Sequence, residues 1–97
     1  MDELQHAREL RKESVAVGVK FVEIELDLGI TFCEIALSTD NRDKFERNIA
    51  NARDAYKSAT KSLERIRKNG DSWGSQITTK LAHLKELLAQ MQPDSNT

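Results

Sequence analysis

The sequence predicts an all-α protein: an elongated antiparallel helical hairpin followed by a third, C-terminal helix. Three observations support this fold class. The chain of 97 residues contains one proline and four glycines, it is rich in residues with high helix propensity, and its apolar residues recur at steps of three and four. We expect residues 1–92 to form a single helical domain and residues 93–97 a disordered tail.

The N-terminal segment, residues 1–14, is highly charged and favours helix, and Leu4, Ala7 and Leu10 are its few apolar side chains. We expect it to be an exposed helical lead-in. The next segment, residues 15–21, alternates valines around a glycine, which is also typical of a β-strand. A single strand would leave its backbone groups without hydrogen-bond partners, so we expect the helix to continue through it.

A first helix that continues to Leu37 carries apolar residues on two sides. These form two rows, named here the Val17 stripe and the Val22 stripe, which lie nearly opposite each other at about 100° per residue. The Val17 stripe comprises Val17, Phe21, Ile24, Leu28, Phe32 and Ile35, and the Val22 stripe comprises Val15, Val19, Val22, Leu26, Ile30, Cys33 and Leu37. A helix that is apolar on two sides must be covered on both.

The second helix has the clearest apolar pattern in the chain. Its residues at steps of three and four are Phe45, Ile49, Ala52, Tyr56, Ala59, Leu63 and Ile66. We expect a turn at residues 38–41, with Asp40 capping the N-terminus of this helix. Asn69 and Gly70 are expected to end it, because glycine adopts the left-handed conformation that closes many helices.

A third helix is expected after residues 71 and 72, where an aspartate and a serine provide a candidate N-cap. Its apolar residues are Trp73, Ile77, Leu81, Leu84, Leu88 and Met91, and the pattern ends before Pro93. This helix could pack against the first helix, against the second, or in the groove between them. Leaving several large aliphatic side chains in water is unfavourable, since burying each one contributes roughly 1.5 to 3 kcal/mol.

The formal net charge of −1 conceals a strong asymmetry along the chain. Residues 1–40 contain nine acidic and four basic side chains, whereas residues 41–69 contain four acidic and nine basic ones. Antiparallel pairing of these two arms would place the acids of the first helix near the bases of the second. We expect such surface pairs to influence which helices pair more than they stabilise the fold.

The two apolar sides of the first helix predict a non-enzymatic protein–protein interaction or scaffold module. The second helix covers one side, and the other side packs against a helix of a partner protein or of a second copy in a two-fold homodimer. In the alternative, the third helix covers that side and the protein is a monomer. The residues expected to contact the partner are Val15, Val19, Val22, Leu26 and Ile30, with Trp73 as a peripheral anchor.

Nucleic-acid binding is the alternative function. A basic row along the second helix could contact phosphates, although Asp54 and Glu64 interrupt it and aromatic side chains are not interleaved with it. The candidate phosphate-binding residues are Arg53, Lys57, Lys61, Arg65 and Lys68. A solvated helix face is the ordinary explanation for such a row.

No pattern in the sequence indicates catalysis, a cofactor or a metal. Cys33 is the only cysteine and lies on an apolar stripe, which favours a buried structural thiol. His6 and His83 lack a partner at a spacing typical of a metal site. Because the chain also lacks a secretory leader and a long apolar run, we expect a cytoplasmic protein that does not enter the membrane.

Two groups of helical proteins resemble parts of this chain. One set of residues, Leu28, Gly29 and Phe32, followed by a second set, Ala52, Tyr56 and Ala59, resembles the tetratricopeptide pattern. The wider gap between the two sets implies longer helices. Residues 25–32 together with residues 51–56 also look like a group of short, uncharacterised bacterial helical hairpins. Both resemblances imply a helix pair, and neither implies a catalytic activity.

Overall fold

The structure, a computed structural model, describes residues 3–91, and three α-helices account for most of this range. α1 spans Glu3–Ser38, α2 spans Arg42–Lys68 and α3 spans Ser75–Gln90. α1 and α2 form an antiparallel hairpin, and α3 packs mainly against α1. The molecule is elongated, with extents of 61 × 24 × 18 Å. The predicted all-α fold is confirmed; the tail predicted for residues 93–97 lies outside the described residues.

α1 is one continuous helix of 36 residues, about 54 Å long. Residues 15–21, which could also have formed a strand, are helical throughout. Within the helix every backbone N–H of this segment has an i−4 carbonyl as its partner, whereas a single strand would have none. Residues 3–14 are exposed, as expected for the lead-in.

The turn between α1 and α2 is made by residues 39–41, and it corrects one prediction. Asn41, and not Asp40, is the N-cap of α2, since its side-chain Oδ1 accepts a hydrogen bond of 2.9 Å from the Lys44 backbone N–H. The Asn41 backbone N–H in turn donates to Thr39 Oγ1 at 3.2 Å. An amide oxygen caps as well as a carboxylate, so the sequence offered two adjacent candidates.

α2 ends where the sequence predicted. Asn69 is the C-cap and Gly70 has a φ of +80°, a left-handed conformation that costs glycine little. The Asp71 backbone N–H donates to the Ile66 carbonyl at 3.1 Å, and the Gly70 N–H donates to the Arg67 carbonyl at 3.0 Å. These bonds satisfy carbonyls that the helix end would otherwise leave free.

α3 begins later than expected. Its N-cap is Gly74, which has no side-chain capping bond, and not the predicted Asp71 or Ser72. Asp71 is already engaged elsewhere, because its carboxylate accepts a hydrogen bond of 3.2 Å from Arg11 of α1. Trp73 precedes the helix and packs partly buried against the core.

The core lies along the line where the three helices meet, and small residues allow the helices to approach closely. Its largest fully buried side chains are Leu26, Ile77, Leu84, Val22 and Cys33. At Gly29 the three helices lie close together: a Cβ built there would lie 2.6 Å from Leu84 Cδ2 and 3.4 Å from Ala55 Cβ. Both α2 and α3 therefore pack on the same side of α1.

Charge pairing between the hairpin arms, expected from the charge asymmetry, is not observed within residues 3–91. No side-chain ion pair there joins α1 to α2; Asp27 of α1 pairs instead with Lys80 of α3 at 3.0 Å. Alanines such as Ala52, Ala55 and Ala59 line the contact face of α2. The two helices therefore pack through small apolar residues, and their charged side chains lie on the outer surfaces.

Candidate interaction face on helix α1

The Val17 stripe is the apolar surface that the fold leaves open. Four of its members, at consecutive steps of four, three and four, are largely in contact with solvent. Their exposed fractions are 70% for Val17, 46% for Phe21, 50% for Ile24 and 44% for Leu28. Further along α1, Phe32 and Ile35 are half-buried.

The Val22 stripe occupies the opposite side of α1 and forms the core. Val22, Leu26 and Cys33 are fully buried there, together with Gly29. Because α2 and α3 share this side, neither helix covers the exposed part of the Val17 stripe. The alternative in which the third helix covers the second apolar side of α1 within one chain is therefore wrong.

The exposed row extends beyond the Val17 stripe toward the N-terminus and has a regular period. Starting at Ala7, alternating steps of three and four reach Leu10, Ser14, Val17, Phe21, Ile24, Leu28, Thr31 and Ile35. This set of nine residues, named here the heptad row, follows the spacing of 3.5 residues that is typical of helices packed side by side in a coiled coil. Ser14 and Thr31 are its two hydroxyl residues.

Charged side chains flank the heptad row unevenly along α1. Between residues 3 and 20 the helix contains three acidic and four basic residues, whereas between residues 21 and 38 it contains four acidic and no basic ones. Lys20 pairs with Glu23 at 3.1 Å, and Asp27 pairs with Lys80. The N-terminal half of α1 is thus close to neutral and its C-terminal half is acidic.

The residues predicted to contact a partner lie mainly on the covered side. Val22 and Leu26 are completely enclosed by other helices of the same chain, and Val15, Val19 and Ile30 are half-buried. The assignment of Val22 and Leu26 to an open face is corrected, whereas for the half-buried Val15, Val19 and Ile30 a partner contact stays a prediction. The physical reason for this correction is the close packing at Gly29, which lets α2 and α3 approach the same side of α1.

Trp73, the predicted peripheral anchor, lies at the end of the bundle. Its indole Nε1–H donates a hydrogen bond of 3.1 Å to Thr78 Oγ1, and its ring packs against the core. The side chain is half-buried. In this position it closes the core between the end of α2 and the start of α3.

The candidate phosphate-binding residues form an exposed basic row on α2, as their spacing predicted. Arg53, Lys57, Lys61, Arg65 and Lys68 are all exposed. None of these five forms an ion pair with a carboxylate of residues 3–91; Arg65 instead donates to Ser62 Oγ at 3.4 Å. Glu64, which interrupts the row, is paired with Arg67.

Cys33 is enclosed in the core, and its surroundings suppress its reactivity. Burial raises the pKa of the Cys33 thiol above its ordinary value of 9.0, and the neighbouring Glu34 carboxylate raises it further. The reactive thiolate is therefore disfavoured at neutral pH. Within residues 3–91, no group of three or more histidine, cysteine, aspartate or glutamate side chains is placed to bind a metal ion.

A concavity lies at the hairpin turn. It has a volume of about 610 Å³ and is lined by residues of the turn, the first turns of α2 and Met91. Its polar walls include Asp40, Arg42, Glu46 and Arg53. Arg42 and Glu46 form an ion pair at 3.1 Å, so these two charges already have partners within the chain.

Comparison with protein-family models, with curated proteins and with solved structures finds no match. The resemblance to tetratricopeptide and bacterial hairpin proteins thus stays a prediction. None of the helices within residues 3–91 has both the length and the apolar content needed to cross a lipid bilayer.

Sequence reasoning identified both stripes of α1 but not which one is open. A usable signal was present in Gly29 and Ala36, because small residues permit close helix contact and both lie on the side of the Val22 stripe. The strict alternation of three and four along the heptad row was a second signal. Its N-terminal members, Ala7 and Leu10, lie in the charged lead-in, where the apolar pattern is weak.

Proposed function

We propose that this protein is a non-enzymatic protein–protein interaction module that docks a helix along the Val17 stripe. The observation that carries this proposal is the exposure of Val17, Phe21, Ile24 and Leu28 in one continuous row. Single exposed apolar residues are ordinary on protein surfaces, whereas contiguous apolar patches are typical of interaction sites.

The energetic argument concerns the surface that a partner would remove from water. Full burial of a large apolar side chain contributes roughly 1.5 to 3 kcal/mol. The four residues are about half exposed, so covering them contributes about half that amount each. The entropy lost on association offsets part of this gain. Stable binding therefore requires a partner that covers the whole row.

The shape of the surface favours a helix as the occupant. The heptad row is straight, narrow and repeats every 3.5 residues, and a second helix can place its own side chains between those of this row. A compact ligand pocket is a poorer description, because the row lies along the outside of one helix. Helix-in-groove recognition relies on the same spacing of apolar anchors.

A photo-cross-linking experiment in the source cell tests the proposal. A photoreactive amino acid replaces Ile24 in the full chain, and a matched control places it at Leu37, which is an equally exposed apolar position on the other side of α1. We expect irradiation to give a protein adduct from position 24 and little or none from position 37. Equal adducts at both positions, or no adduct at position 24, would contradict the proposal.

The basic row on α2 supports a second candidate function, the binding of nucleic-acid phosphates. Arg53, Lys57, Lys61 and Lys68 are exposed and lack carboxylate partners within residues 3–91. Phosphate contacts weaken steeply with salt because binding releases counterions, whereas apolar docking does not. Fluorescence anisotropy with a labelled duplex therefore separates the two functions.

For this second candidate we expect duplex binding at low salt that is lost as salt rises. The double variant Lys57→Glu/Lys61→Glu should weaken it further, whereas Ile24→Lys should leave it unchanged. Absence of binding at low salt would rule this function out. Retention of binding in the double variant would exclude the row as its site.

A further inference from the structure

We infer that the helix docked on the Val17 stripe is α1 of a second copy of this chain, in an antiparallel arrangement about a two-fold axis between Phe21 and Ile24. This inference rests on the proposed function and specifies its partner. Three observations carry it: the symmetry of the heptad row, the charge distribution along α1, and the exposed N-terminal part of this helix.

The heptad row is nearly palindromic in the character of its residues. When two antiparallel copies of α1 cross near residues 22 and 23, eight of the nine members of the row face a member of the same kind. The facing pairs are Phe21 with Ile24, Val17 with Leu28, Ser14 with Thr31, and Leu10 with Ile35, each pair formed twice by the symmetry. Apolar layers thus meet apolar layers, and the two hydroxyl residues meet each other.

Charge favours the antiparallel over the parallel arrangement. An antiparallel pair places the nearly neutral half of one α1 beside the acidic half of the other, whereas a parallel pair brings the two acidic halves together. It also brings Lys20 of each copy near Asp27 of the other. The like-charged pair Glu13 and Glu34 lies toward the ends of the contact, where exposed charges are well screened.

The N-terminal part of α1 supplies the third observation. Residues 3–14 are exposed, and Arg11 ties this segment to the end of α2 through hydrogen bonds of 2.7 Å to the Asn69 carbonyl and 3.2 Å to the Asp71 carboxylate. The turns before Arg11 extend beyond α2. A helical extension of this kind has little stability alone. In the antiparallel dimer its Leu10 packs on Ile35 of the second copy.

Cysteine cross-linking tests both the partner and the direction. Ser14→Cys and Thr31→Cys are made as separate full-length chains, mixed, and treated with a short bis-maleimide reagent. We expect linked dimers that contain one chain of each variant, and far less linkage when either variant is treated alone. The native chain is the control for Cys33, which is buried. Both substituted positions are exposed, so the fold should be retained.

Two results would overturn the inference. Linkage within Ser14→Cys alone that equals or exceeds linkage in the mixture would indicate parallel helices. Absence of linkage in the mixture, with a mass of 11.0 kDa in solution, would indicate a monomer. If the photo-cross-linked adduct at position 24 were then a different protein, the proposed function would stand and the second copy alone would be excluded.

Discussion

At the scale of single residues, Gly29 determines how closely the three helices pack. It lies against Leu84 of α3 and Ala55 of α2, with no space for a side chain. Gly18, about three turns earlier on α1, has only the Ile66 Cδ1 methyl within 4 Å of a built Cβ, at 3.9 Å. The two glycines therefore offer a matched pair within one helix.

We expect Gly29→Ala to destabilise the protein and Gly18→Ala to stabilise it. Alanine in a helix interior gains about 0.5 to 1 kcal/mol over glycine at either position. At Gly29 this gain is outweighed by overpacking against the fully buried Leu84, which costs about 1 to 3 kcal/mol. Urea unfolding of the two variants gives the free energies. A stabilised Gly29→Ala would show that the helices do not meet as closely as described.

At the scale of elements, the ends of the helices were harder to predict than their existence. The apolar repeat of α2 was sufficient to place it, because its period of three and four runs through the whole helix. The cap at Asn41 was missed because Asp40 is an equally good candidate, and the cap at Gly74 because Asp71 and Ser72 are better cap residues than glycine. For α3, the bond between Asp71 and Arg11 depends on contacts distant in sequence, which a local pattern cannot reveal.

The N-cap of α2 gives a prediction at this scale. Asn41→Ala removes the acceptor of the Lys44 N–H and should cost about 1 kcal/mol of stability. Asn41→Asp retains an acceptor and should be close to neutral, with any gain coming from a negative charge at the N-terminus of the helix. Thermal unfolding of both variants measures the difference. Equal loss in both would indicate that the cap does not stabilise α2.

At the scale of the whole molecule, the sequence predicted the hairpin, the third helix and two apolar sides on α1. The apolar pattern alone could not predict which side remains open, because both rows have similar hydrophobicity and length. The covered side is the one on which α2 and α3 can pack closely. Small residues such as Gly29 and Ala36 permit this packing on the side of the Val22 stripe. The open face is thus a consequence of packing and not of hydrophobicity alone.

The uneven distribution of charge along α1 acts at the open face, where the second copy binds. Within residues 3–91 the charged side chains of α1 form no ion pair with α2. Asp27 pairs with Lys80 of α3, and Lys20 pairs with Glu23 within α1. Between two antiparallel copies of α1, the acidic half of one copy lies beside the nearly neutral half of the other. The same acidic segment that does not pair with α2 therefore selects the direction of the second copy.

The central claim is that a second copy covers the Val17 stripe. Sedimentation equilibrium tests it most directly, with the native chain compared with Ile24→Lys and Leu37→Lys. We expect the native chain and Leu37→Lys to have twice the monomer mass of 11.0 kDa at micromolar concentration, and Ile24→Lys to have the monomer mass with its helical content unchanged. A native chain that sediments as a monomer, or an Ile24→Lys variant that remains a dimer, would contradict the account.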